Sequence, residues 1–277
     1  MSTRSLDTGT ETVLASVSDS VATLTLNRPE RRNALNGEML LGIERALDAA
    51  ERDLDVRAVV LTGAGGAFCA GGDVKGMDAQ NRGDEARPGG GIDAAIHAQR
   101  LSQRNTAGRL YTLPKPVIAS LPGPAAGAGL SLALACDLRI ASEQALLTTA
   151  FAKVGFSGDY GGTFFMTQLI GSAKARELYF LSDRLDAKEA ERIGLVHRVV
   201  PADALEDQTR ALARRLAEGP TVAYRYMKEN LNRAVGGDVM ECLDLEATHH
   251  VHTGFTEDHR NATRAFVEKR TPEFKGR

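Results

Sequence analysis

Tryptophan is absent from the sequence and cysteine occurs three times, at Cys69, Cys136 and Cys242. An odd number of thiols, far apart and without paired ligand spacing, excludes a disulfide framework and a zinc-ribbon module. Free thiols in a reducing compartment are the expectation. Charge of one sign is lacking as well, since 34 Lys+Arg stand against 36 Asp+Glu for a net charge of −2. With no dense basic run, nucleic acid is not an expected partner. No stretch approaches the ~18 to 20 uninterrupted apolar residues of a membrane span, and Met1 to Thr12 is polar, without the apolar run of a leader. No membrane partner and a cytoplasmic location are therefore expected. Several chemistries are missing their motifs: His-Glu-x-x-His, the P-loop Gly-Lys-Ser/Thr and the Gly-x-Ser-x-Gly elbow do not occur. His249, His250 and His252 crowd one helix, yet no Cys or carboxylate sits at a clear metal spacing. They read as a polar helix face, and no metal is expected.

What is present is an ordinary apolar fraction, 43%, in a chain of 277 residues, enough for one large core or a core with an appendage. Residues 13 to 17 and 21 to 26 read as strands around the turn Ser18-Asp19-Ser20. Asn36 can cap a helix in which Met39, Leu40, Ile43, Leu47, Ala50 and Leu54 keep helical spacing. A β-branched strand at 57 to 62, a helix near 92 to 112, a strand at 116 to 121, a helix at 127 to 136 and a strand at 138 to 148 follow. Strands and helices thus alternate, an α/β pattern. Residues 79 to 91 are charged and Gly-rich and read as a mobile surface loop. Beyond Gly162 the strand signal ends. Asp186 and Asp203 each open a capping box with Glu at the fourth position, and helices near 221 to 235, 238 to 252 and 256 to 270 close the chain.

The stretch that organises the rest is Pro122-Gly-Pro-Ala-Ala-Gly-Ala-Gly129, running directly into Leu-Ser-Leu-Ala-Leu-Ala-Cys-Asp137. It lies where a buried strand ends and a helix begins, so its N–H groups lack partners and attract negative charge. Small residues at Gly127, Ala128 and Gly129 let a ligand oxygen approach, or let the helix pack closely; the stretch alone leaves both open. A second Gly/Ala turn, Gly63 to Asp73, follows the strand at 57 to 62. Two donors from separate loops converging on one oxygen are what an oxyanion requires. Dinucleotide binding does not fit, because Phe68 takes the third glycine position of G-x-G-x-x-G.

Phe68-Cys-Ala-Gly-Gly-Asp-Val74, Gly123-Pro-Ala-Ala-Gly-Ala-Gly129 and Gly155-Phe-Ser-Gly-Asp-Tyr-Gly-Gly-Thr163 resemble, in order and separation, the signature blocks of the enoyl-CoA hydratase/isomerase (crotonase) family. Flanking patterns at Leu26 to Leu35, Ala187 to Val196 and Ala265 to Pro272 extend the resemblance over nearly the whole chain. It implies a spiral of β-β-α units over residues 1–204 and a helical region over 205–277 that packs on neighbouring subunits of a homotrimer or homohexamer.

For the site, the resemblance assigns the oxyanion donors to the N–H groups of Ala70 and Ala128. The two glutamates that hold water in hydratases of the family are replaced by Ser131 and Phe151. A third family position, used by isomerases, carries an acid here, Asp159. Without the resemblance, Asp159 also reads as the N-cap of the next helix. Tyr160 can donate a hydrogen bond or simply pack. Coenzyme A, as part of a substrate thioester rather than a resident cofactor, is placed along Arg31, Ala34 and Leu35 and along Gly71, Asp73 and Val74. Phe266, Lys269, Phe274 and Lys275 are expected near the phosphates of a neighbouring subunit's ligand. A single carboxylate can move a proton between two carbons, whereas hydration needs a held water, so double-bond isomerisation of an enoyl-CoA is the expected activity. A hydratase with a non-glutamate water site is the alternative, and a non-catalytic CoA- or RNA-binding scaffold is a third reading.

Overall fold

The computed structural model describes residues 3–82 and 91–277. Its strands are β1 (Arg4–Ser5), β2 (Val13–Ser18), β3 (Val21–Leu26), β4 (Ala58–Gly63), β5 (Val117–Leu121), β6 (Ala125–Ala126), β7 (Leu138–Ser142), β8 (Leu146–Thr148), β9 (Leu185–Asp186) and β10 (Arg198–Val200). The first six helices are α1 (Gly37–Arg52), α2 (Val74–Arg82), α3 (Gly91–Gln103), α4 (Arg109–Thr112), α5 (Ala128–Ala135) and α6 (Gly162–Ile170). They are followed by α7 (Ser172–Leu181), α8 (Ala187–Arg192), α9 (Leu205–Ala217), α10 (Thr221–Ala234), α11 (Val239–Gly254) and α12 (Glu257–Val267).

Seven strands form one sheet in the order β1-β2-β3-β4-β5-β7-β10, antiparallel up to β3 and parallel from there on. Alternation in β2 buries Val13, Ala15 and Val17 and turns Leu14 outward. β5 is buried at every position, as suits a central parallel strand covered on both faces. One face carries Leu24, Leu26, Val59 and Leu61 against Ile43 and Leu47 of α1, Leu110 of α4 and Leu130 of α5. The other carries Val60, Ile118 and Ile140 against Leu205, Ala213 and Ala217 of α9. The Asn36 side chain accepts the Met39 N–H at 2.9 Å, a cap that contributes about 1 kcal/mol.

Several expectations need correction. The segment 138–148 is two strands: a turn at 143–145 sends β7 to the large sheet and β8 to a small one, β6-β8-β9. Strands also continue past Gly162, as β9 and β10. Leu54 lies beyond the end of α1 and is 92% exposed. Residues 79–82 finish α2 and Gly91 opens α3; the rest of the expected loop, 83–90, lies outside the described residues. Asp186 does cap α8 through the Glu189 N–H, but Asp203 sits in a short 3₁₀ turn ahead of α9, whose N-terminus has no side-chain cap. Residues 205–217, expected with the C-terminal region, pack as α9 on the sheet.

Of the last three helices, α10 docks through polar contacts. Buried Lys228 of α10 donates to the Leu110 carbonyl at 3.0 Å and to Asp137 Oδ2 at 2.9 Å, and Asn232 donates to the Tyr111 carbonyl at 2.9 Å. Met227, Leu231, Leu243, Val251 and Phe255 meanwhile stay exposed on α10 and α11 and at their end. His249 is buried rather than part of a polar face: its ring lies tilted against Tyr226, centroids 4.3 Å apart, and its Nε2 lies 3.3 Å from Glu229. Among the described residues no cluster of three His, Cys, Asp or Glu could hold a metal ion.

Candidate active site

β4 and β5 are parallel neighbours, so their carboxyl ends release the 63–72 and 122–127 loops side by side. The loops are sewn together: Phe68 and Cys69 N–H donate to the Pro124 carbonyl at 3.0 and 3.2 Å, and Ala126 N–H returns to the Cys69 carbonyl at 2.9 Å. A Cβ on Gly129 would lie within 2.5 Å of Cys69 Cβ, so the absence of a side chain there serves close packing of α5 on the first loop. Packing and anion binding, left as alternatives by the sequence, divide by position. Ala128 opens α5 and Gly127 precedes it at φ 51°, so the Ala128 N–H is among those with no partner inside the helix.

Ala70 does not fit the donor role. Its N–H is taken by the Arg32 carbonyl at 2.9 Å. Two residues on, Leu35 N–H donates to the Gly71 carbonyl at 2.7 Å and Asp73 N–H to the Leu35 carbonyl at 3.1 Å. That is one parallel bridge, in which the Gly72 N–H points away from Leu35. The bridge therefore leaves the Gly72 N–H free to donate, and a Cβ on neighbouring Gly71 would come 3.6 Å from the Ala128 nitrogen. Sequence matching missed it because the hydrogen bond that occupies Ala70 comes from a residue 38 positions away.

The same bridge lays 31–35 along 71–74, the two segments expected to meet CoA. Ala34 and Leu35 are buried, while Arg31 and Val74 are exposed. Asp73 faces Arg28 at 3.0 Å; burial alone would raise its carboxyl, but Arg28 and the Gly76 N–H hold it below the usual range. Asn33, fully buried at φ 56°, pins the turn by donating to the Ala64 and Ala67 carbonyls at 2.9 Å each. The C-terminal candidates are elsewhere. The Phe274 carbonyl accepts from Arg57, which precedes β4, so the tail lies at the opposite end of the strand, about 20 Å from the loops. Lys275 pairs with Glu257 at 3.0 Å, and Phe266 and Lys269 are exposed.

Asp159 sits in a turn of left-handed residues, Gly158 (φ 114°), Tyr160 (φ 48°) and Gly161 (φ 74°). It does not cap α6: the N-cap is Gly161 and receives no side-chain hydrogen bond. Among the described residues its buried Oδ1 has no hydrogen-bond partner, and burial raises the carboxyl from 3.8 to about 6. A half-buried acid with one unpaired, buried oxygen, poised near neutrality, suits proton transfer. Tyr160 anchors the turn, its N–H donating to Gln103 Oε1 at 2.8 Å and its hydroxyl meeting Ser102 Oγ at 3.1 Å. Ser131 is buried and donates back to the Gly127 carbonyl at 3.3 Å, and Phe151 stacks on Tyr179 at 5.8 Å. No carboxylate occupies either position. Burial pushes the Cys69 and Cys136 thiols up to about 12, which leaves neither as a nucleophile near neutral pH.

The strand order, the two donor loops and the helical C-terminal region are those of the crotonase fold. In structure the chain matches the enoyl-CoA hydratase of Bacillus anthracis with a TM-score of 0.87 at 33% identity, covering 96% of this chain and 100% of that one. The chain belongs to the enoyl-CoA hydratase/isomerase family, whose model matches residues 16–277. It is similar to the 1,2-epoxyphenylacetyl-CoA isomerase of Escherichia coli, 38% identical over 267 residues, 96% of this chain and 99% of that protein. It is also similar to the short-chain-enoyl-CoA hydratase of Clostridium acetobutylicum, 36% identical over 259 residues, 93% and 95% of the respective chains. The family acts on CoA thioesters. Among the described residues no helix is long and apolar enough to cross a membrane.

Proposed function

We propose that this enzyme isomerises the double bond of an enoyl-CoA thioester, with Asp159 as the proton carrier. The observation that carries the reading is the half-buried Asp159 carboxyl, whose buried Oδ1 has no hydrogen-bond partner among the described residues, in a site where Ser131 and Phe151 supply no second acid. The ionised carboxylate takes the proton from the α-carbon of a 3-enoyl thioester, and the electron pair moves onto the thioester oxygen. The Ala128 and Gly72 N–H groups stabilise that oxyanion, each donor contributing about 2.7 to 4 kcal/mol to the transition state. Asp159 then returns the proton at the γ-carbon, which leaves the double bond at the 2-position. CoA lies along 31–35 and 71–74. The tail with Phe266, Lys269, Phe274 and Lys275 serves the ligand of a neighbouring copy, a reading supported by its place at the far end of β4 and by the apolar residues exposed on α10 and α11.

The isomerase name of the Escherichia coli relative supports the reaction type. Hydration is the second reading, favoured by the hydratase name of the Clostridium acetobutylicum relative. Parallel assays separate the two: conversion of 3-enoyl- to 2-enoyl-CoA, and loss of 2-enoyl absorbance. Fast isomerisation abolished by Asp159→Asn is the expected outcome. Fast hydration that survives Asp159→Asn would overturn the reading.

A further inference from the structure

We propose that Tyr179 is a positioning residue for this reaction, and that its hydroxyl, set against Ser131 Oγ, fixes the Asp159 turn relative to the helix that carries the Ala128 donor. The inference rests on the proton-carrier reading and adds a residue that none of the signature blocks contains.

Tyr179 belongs to α7 and touches the Asp159 turn on both sides. Before the acid, a Cβ on Gly158 would lie 3.0 Å from Tyr179 Cε1, so the ring packs on the bare backbone there. After the acid, a Cβ on Gly162 would collide with both the Ser131 and the Tyr179 hydroxyl oxygens, so glycine there leaves room for both hydroxyls against the turn. Ser131 spends its own proton on the Gly127 carbonyl, which leaves its lone pairs free to accept the tyrosine O–H. Burial first, and then the charge of Asp159, hold the Tyr179 hydroxyl firmly protonated, so it keeps a proton to donate. The far face of the ring is closed by Phe151, stacked at 16°, whose Cε1 a Cβ on Gly127 would approach within 3.7 Å. The chain of contacts therefore runs from Gly127, ahead of the donor, through Ser131, Phe151 and Tyr179 to the residues flanking Asp159. Among the described residues the Asp159 side chain makes no hydrogen bond, only its carbonyl accepting the Gly162 N–H at 3.1 Å, so the carboxyl is placed by these neighbours and by the Gln103 contact to Tyr160.

The test compares Ser131→Ala, Tyr179→Phe and the double variant of the full chain in 3-enoyl-CoA isomerisation. A misplacement of about an ångström lowers a rate up to ~100-fold, so each single variant should lose about 10- to 100-fold in kcat. KM should hold, because the segments that meet CoA are untouched, and the melting temperature should hold too. The double variant should lose no more than the weaker single variant, since both changes break the same contact. Wild-type kcat in Tyr179→Phe, multiplicative losses in the double variant, or losses that track a fall in melting temperature would each overturn the inference. Asp159→Asn run alongside separates the two claims. If it is inactive while Tyr179→Phe turns over normally, only the positioning role falls; if it is active, the proton-carrier reading falls and takes this inference with it.

Discussion

Replacing Asp159 by Asn should stabilise the folded enzyme while removing its activity. The carboxyl titrates near its ordinary 3.8 when unfolded and at about 6 when folded, because burial disfavours the charge. Below about pH 4 both states are protonated and the residue is neutral in its effect on stability. As pH rises from about 4 to 6 the unfolded chain releases the proton first, so stability is lost through this window and stays lost above it. At about 1.4 kcal/mol per pH unit the difference is about 3 kcal/mol, and the solvent that still reaches the group reduces it to about 1 to 2 kcal/mol. Asn cannot ionise and keeps the shape, so the variant should match the wild type at pH 4 and exceed it by about 1 to 2 kcal/mol at pH 8. Urea unfolding at a series of pH values reads this directly. Had Asp159 been the helix cap, the substitution would be neutral or destabilising at every pH; that result would refute the reasoning.

Other outcomes follow from the same contacts. Ala128→Pro removes one N–H at the first position of α5, where proline suits a helix, so the fold should persist while turnover collapses; Ala128→Gly should stay active, and kinetics of both variants checks this. Lys228→Met leaves Asp137 without its cation in the seat of α10, and denaturant unfolding should show a loss of about 3 kcal/mol. A CoA thioester should raise the melting temperature and NAD should not, because only a ligand of the folded site shifts the unfolding equilibrium.

Local features of the fold were legible because local rules set them. Asn36 caps α1 three residues ahead of Met39, and the alternation of Val13, Ala15 and Val17 fixes the buried face of β2. The split between β7 and β8 was not, since Leu138 to Thr148 carries no glycine or proline to mark the turn at 143–145. Within the site, the Gly/Ala loops and Asp159 stand out in the sequence, but which N–H is free depends on distant partners. Arg32 engages Ala70, and Leu35 turns Gly72 outward; neither pairing is encoded near the loop itself. Tyr179 is hidden for the same reason. Inside Glu-Leu-Tyr-Phe-Leu it reads as one more apolar helix position, and only the tertiary fold sets its hydroxyl against Ser131.

The central claim is that Asp159 handles the proton at the α-carbon while backbone donors hold the thioester oxygen. A crystal structure with an unreactive enoyl-CoA analogue bound tests it most directly. An Asp159 carboxyl oxygen should lie about 3 to 3.5 Å from the α-carbon, with the thioester oxygen on the Ala128 and Gly72 N–H groups. A thioester oxygen held elsewhere, or another side chain at the α-carbon with Asp159 turned away, would contradict it.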